Sequence, residues 1–180
     1  MVFNPDIHQR QSIRLKSYDY SKAGAYFVTI CVREKECLLG DVVGGVMRLS
    51  EMGEIVREEW LKSSIIRGEI KLDEFVIMPN HMHGIIWICN NGRGDRPVAP
   101  TEDDFIQSGP SSKSLGSLMA GFKSAVTKRI NIYRNTPGLP FWQRNYYEHV
   151  IRNENDLHAI REYIQNNPLK WELDPENPYK

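Results

Sequence analysis

The chain has 180 residues, 41% of them apolar, and its 23 basic and 23 acidic side chains cancel to zero formal charge. That length suits one domain spanning 1–180 with room for an insertion, and the charge balance argues against a protein that coats nucleic acid by bulk charge. No stretch has the apolar length of a membrane span, residues 1–6 show no signal-peptide pattern, and Cys31, Cys37 and Cys89 lack Cys-x-x-Cys spacing, so reduced thiols in the cytoplasm are expected.

Residues 25–32, Ala-Tyr-Phe-Val-Thr-Ile-Cys-Val, are β-prone and lack a polar face, as a central strand would. Residues 37–43 and 46–49, split by Gly44-Gly45, read as a hairpin. Ser50 is a good N-cap for a helix running to about residue 63. Residues 70–77 and 81–88 make two strands around the turn signal Pro79-Asn80. Residues 90–112, rich in Gly, Pro, Asn, Asp and Ser, read as a flexible insertion or lid. Leu115, Leu118, Phe122, Val126 and Ile130 then recur at helical spacing. After the turn signal at 135–138, Tyr147, His149 and Ile151 alternate as on a strand. The last element is a short helix capped by Asn153 or Asn155, with Leu157, Ile160 and Ile164 as its buried stripe and Pro168 as its stop. Strand, hairpin, helix, strand, strand, helix, strand, helix predicts an α+β fold: a ferredoxin-like antiparallel sheet with helices packed on one face.

Side chains alternate along a strand, so His81 and His83 point to one face, side by side. Two imidazoles held this way begin a metal site. Tyr163 and Asn167 are four apart on the last helix and lie one above the other at the edge of its apolar stripe. A tyrosine there can show its hydroxyl to a cleft, and the Asn167 amide oxygen suits a divalent ion such as magnesium or manganese. Charge is unevenly spread. No acidic residue falls between Phe105 and Tyr147, whereas Lys113, Lys123, Lys128, Arg129, Arg134 and Arg144 all do. A basic surface on a neutral chain suits a defined phosphate-binding site.

Pro79-Asn80-His81-Met82-His83-Gly84, the run Trp-Gln-Arg-Asn-Tyr-Tyr-Glu-His-Val-Ile-Arg at 142–152, and Tyr-Ile-Gln-Asn-Asn-Pro at 163–168 together resemble the single-tyrosine HUH transposases. Within that class the chain is most similar to the REP-associated tyrosine transposases, whose opening pattern residues 14–20 also resemble. The resemblance implies a metal-dependent nuclease and strand transferase acting on single-stranded DNA beside a hairpin, and a nucleoid-associated role. By position it implies His81 and His83 as the metal-binding pair, Asn167 as third ligand and Tyr163 as the nucleophile that forms a 5′-phosphotyrosine. Arg14, Lys123, Lys128, Arg129 and Arg144 are then candidates for contact with the DNA backbone. Trp142 and Tyr146 are candidates for stacking on unpaired bases.

Other readings stand beside this one. Tyr146 and Tyr147 are rival nucleophiles. The same histidines serve a phosphodiesterase that uses activated water, and the same fold serves a non-catalytic, domesticated hairpin-binding regulator or a replication-initiator nuclease. Both a homodimer and a monomer fit the pattern.

Overall fold

The structure, a computed structural model, describes residues 19–89 and 113–179; Arg14 and the insertion expected at 90–112 lie outside the described residues. The elements run β1 (Gly24–Cys31), β2 (Gly40–Val43), β3 (Val46–Leu49), α1 (Glu51–Ile66), β4 (Ile70–Ile77), β5 (His81–Ile88), α2 (Leu115–Arg134), β6 (Tyr147–Ile151) and α3 (Glu154–Asn166). A four-stranded antiparallel sheet has the spatial order β4-β5-β1-β6. With the β2–β3 hairpin set aside, the order β-α-β-β-α-β and the central placing of β1 and β5 give the ferredoxin-like arrangement.

Local chemistry accounts for the boundaries. Gly44 and Gly45, at φ 58° and 76°, take the positive values that a two-residue hairpin turn requires. The Gly53 N–H donates to Ser50 Oγ at 3.2 Å, starting α1. That helix runs past residue 63 to Ile66, and the sequence hides the extension because Ile65 and Ile66 are exposed. The Asp156 N–H donates to Asn153 Oδ1 at 2.9 Å, so Asn153 rather than Asn155 caps α3. Pro168 ends α3 as expected, but the chain continues as a 3-10 segment, Pro168–Leu173, rather than leaving the fold.

The two faces of the sheet bury different sets of residues. Tyr26, Val28 and Ile30 of β1 and Met82, Ile86 and Ile88 of β5 pack with Val56 and Trp60 of α1 and Leu118, Phe122 and Val126 of α2. On the other face, Phe27 and Ile85 pack with Leu157 and Ile164 of α3. The expectation of helices on one face therefore holds for α1 and α2, and is corrected for α3. The reason is in the strands: β1 and β5 are apolar on both sides, so each side needs a cover. α3 covers the face that carries the histidines.

Gly84 follows His83 in β5 and faces the opposite side of the sheet, directly under the indole of buried Trp60, and a methyl group there would overlap the ring. The ring is boxed in by Phe75 and Phe122, with centroids at 6.2 and 5.3 Å, and has little room to yield. Gly84→Ala is expected to destabilise the protein by about 1–3 kcal/mol, the usual cost of overpacking a core. Urea denaturation measures it, and an unchanged midpoint would show that the Trp60 layer is looser than described.

Candidate functional site

His81 and His83 are buried, with their Nε2 atoms 3.0 Å apart. The β1–β5 register sets Thr29 opposite His83 and Cys31 opposite His81. Thr29 Oγ1 lies 2.8 Å from His83 Nδ1, and Asn80 Oδ1 lies 2.8 Å from His81 Nδ1. Each ring thus has Nδ1 tied to the scaffold and Nε2 turned toward a shared point. Burial lowers the pKa of His81; burial, with His81 beside it, pushes His83 well below the ordinary 6.5. Both rings are therefore neutral at neutral pH, the form in which imidazole binds a metal.

α3 delivers the next two groups. The Tyr163 hydroxyl sits 3.2 Å from His83 Nε2, and its ring meets Phe27 edge-on at 6.2 Å. Tyr163 is 44% exposed, so the oxygen is reachable from outside. Burial and the Asp174 carboxylate raise its pKa, against an opposing hydrogen bond from Asn167. Asn167 is 2% exposed, and its side-chain oxygen has no hydrogen-bond partner. A buried acceptor left this way costs about 1–3 kcal/mol unless something else satisfies it.

The position of α3 is set by a bulge. Between Leu72 and Phe75, β4 carries one more residue than β5 opposite it. Such a bulge re-aims a side chain, and here Asp73 turns toward α3. Its carboxylate takes a two-pronged bond from Arg161, at 2.9 and 2.6 Å, and a third from Trp87 Nε1 at 2.9 Å.

The 3-10 segment then folds back and brings in a group that sequence reasoning missed. Asp174, 6% exposed, places a carboxylate oxygen 4.0 Å from His81 Nε2. One ligand atom each from His81, His83 and Asp174 fall within 4.8 Å of one another. Asp174 lies past the helix stop, in a polar stretch with no periodicity, so nothing in the sequence singled it out. The donors present fit a divalent ion: two neutral imidazoles, a carboxylate, and a buried amide oxygen that lacks a proton donor. Beside them opens a cleft of about 500 Å³ whose walls include Phe27, Tyr146, Tyr147 and Tyr163.

No protein-family model matches the chain. An uncharacterized protein of Haemophilus influenzae is 43% identical over 174 residues, covering 96% of this chain and 95% of its own length. The chain belongs to one family with it. A REP-associated tyrosine transposase of Escherichia coli K12 is 25% identical over 151 residues, 84% of this chain and 70% of that one. A solved structure described as a REP-associated tyrosine transposase bound to a REP hairpin superposes with a TM-score of 0.58 at 22% identity, over 88% of this chain and 74% of that one, and shares the fold. The chain is a relative of the REP-associated tyrosine transposases.

In this transposase relative, the cationic and aromatic residues expected to face DNA divide into two groups. Lys128 and Arg144 are exposed, and Tyr146 lines the cleft beside Tyr163. Lys123 is corrected: its half-buried ammonium donates to the carbonyls of Gln143 and Arg144, at 2.5 and 3.0 Å, and so holds a loop. Arg129 is corrected as well, because its guanidinium bridges Glu58 and Glu59 of α1 at 2.6 and 2.8 Å. Trp142, 5% exposed, packs against Phe141 and Phe122 and cannot stack on a base without leaving the core. Among the described residues no helix is long and apolar enough to cross a membrane.

The Asp73–Arg161 fork gives a pH test of how α3 is held. Arg161 holds the Asp73 carboxyl down at about 2, against an ordinary 3.8. A folded-state pKa below the unfolded one stabilises the fold above the higher value and is lost as pH falls through the lower. Asp73→Asn is expected to lower Tm at pH 7 and to flatten the fall of Tm between pH 4 and pH 2. Thermal melts across that range decide it; coincident curves for variant and wild type would mean that α3 is held by its apolar face alone.

Proposed function

We propose that this protein cleaves and rejoins single-stranded DNA beside a hairpin, through a covalent bond to Tyr163, with a divalent metal ion as cofactor. The observation that carries the reading is the Tyr163 hydroxyl at 3.2 Å from Nε2 of His83, one of a buried pair of histidines, with the unpartnered oxygen of Asn167 one helical turn away. Relationship to the REP-associated tyrosine transposases supports the same chemistry.

His81, His83 and Asn167 would hold the ion, with Asp174 in reach. Magnesium or manganese bound there supplies positive charge that polarises the scissile phosphate and offsets the Asp174 carboxylate beside the phenol. The Tyr163 oxygen attacks phosphorus in line; the Tyr–O–P bond forms as the bond from phosphorus to the 3′-oxygen breaks. The phenol proton leaves to solvent on the exposed side, and the departing 3′-oxygen takes up a proton. A 5′-phosphotyrosine and a free 3′-hydroxyl result. Because the ester is retained on the tyrosine, attack by another 3′-hydroxyl reverses the step and joins strands without a nucleotide cofactor. Lys128 and Arg144 serve the DNA backbone, and Tyr146 and Tyr147 offer rings to unpaired bases along the cleft.

Incubation with labelled single-stranded hairpin DNA and Mn2+ or Mg2+, followed by a denaturing gel, tests the reading. A protein–DNA adduct is expected from the wild type, absent from Tyr163→Phe and reduced at least 100-fold in His81→Ala. Cleavage without an adduct would instead show a water-using phosphodiesterase. Tight binding with the DNA left intact would show a regulator.

A further inference from the structure

Asn80 is 1% exposed. Its Nδ2 donates to the Lys35 carbonyl at 3.0 Å and to the Glu176 carbonyl at 2.7 Å. Carbonyls only accept, so the amide cannot be turned end for end. Its oxygen, which also only accepts, then faces His81 Nδ1 at 2.8 Å. That nitrogen must carry the proton, and His81 Nε2 is left as a bare lone pair. Thr29 works differently. Its hydroxyl lies 2.8 Å from His83 Nδ1 and can either donate or accept, so it serves both tautomers of that ring.

We infer that Asn80 and Thr29 are positioning residues that govern the two tautomers: Asn80 locks His81 and Thr29 lets His83 exchange. The inference rests on the metal-site reading above. Two bare Nε2 lone pairs cannot face each other at 3.0 Å without a proton between them. Because Asn80 keeps the His81 proton on Nδ1, the metal-free protein must place the His83 proton on Nε2. That N–H points at His81 Nε2, with Tyr163 Oη 3.2 Å away, while the Thr29 O–H donates to His83 Nδ1. A cation needs both Nε2 lone pairs. Loading therefore moves the His83 proton from Nε2 to Nδ1, and the Thr29 hydroxyl rotates to accept it. One N–H bond is broken and one is made on the same ring, so this exchange releases no proton.

The arrangement explains the one polar residue among the apolar side chains of β1 and gives the buried amide of the Pro79-Asn80 turn a task. Orienting partners of metal-binding histidines typically contribute 10- to 100-fold in affinity.

Two measurements test it. Long-range 1H–15N spectra of the wild-type protein should show His81 in the Nδ1–H form with and without Mg2+, and His83 changing from Nε2–H to Nδ1–H on loading. Titration of Mn2+ followed by electron paramagnetic resonance should show Thr29→Val binding at least 10-fold more weakly, with Thr29→Ser restored. Asn80→Ala empties a buried position, so the spectra of the wild type test Asn80 without relying on that variant folding. His81 in the Nε2–H form, or Thr29→Val binding Mn2+ as tightly as wild type, would overturn the inference. A wild type that binds neither ion would overturn the metal site itself, a failure distinct from intact binding that is insensitive to Thr29.

Discussion

Two neutral imidazoles whose Nε2 atoms meet at 3.0 Å inside a protein need a proton or a cation between them. Much of this structure holds that contact in place. β5 supplies both rings from one face and is gripped on either side by β4 and β1. The turn before it is strapped through its backbone: Val32 N–H donates to the Asn80 carbonyl and Leu39 N–H to the Pro79 carbonyl, at 2.8 and 2.9 Å. Gly84, the residue after His83, keeps the far face flat enough for Trp60 to seat α1. Rigid support of this kind is what a site needs when its geometry must be held to within a fraction of an ångström.

The second requirement is that α3 dock on the histidine face at one rotation and one height. Leu157 and Ile164 supply the apolar contact, which is tolerant of sliding. The Arg161 fork on Asp73 is not tolerant, because two parallel bonds fix direction as well as distance. Once α3 is pinned there, Tyr163 falls beside His83, and Asn167, one turn on, is carried below the surface. The 3-10 segment that follows reverses the chain and sets Asp174 against His81. The Tyr163 phenol, the Asn167 amide oxygen and the Asp174 carboxylate thus arrive from a single stretch of about a dozen residues.

Much of this was legible in the sequence because periodicity reports burial. The alternation of His81 and His83, the helical spacing of Leu157 and Ile164, and the four-residue step from Tyr163 to Asn167 all survive folding unchanged. The placing of α3 on its own face did not follow, since periodicity shows that a face is covered and not by what. Asp174 and the Arg161–Asp73 fork were hidden for a related reason: one lies in an aperiodic tail, and the other depends on a bulge that breaks strand alternation. Lys123 and Arg129 were misread because a basic run looks the same whether its charges meet solvent, backbone carbonyls or carboxylates. Thr29 and Asn80 were in plain view, a polar residue in an apolar strand and the residue preceding the histidines. Their role emerged only once the register placed each against a ring nitrogen.

The most direct measurement is anomalous diffraction from crystals of the protein grown with Mn2+. The account predicts one strong peak bounded by His81 Nε2, His83 Nε2 and the side-chain oxygen of Asn167, with the Tyr163 hydroxyl beside it. Crystals that show the two histidines still in direct contact, and the manganese bound elsewhere or not at all, would contradict it.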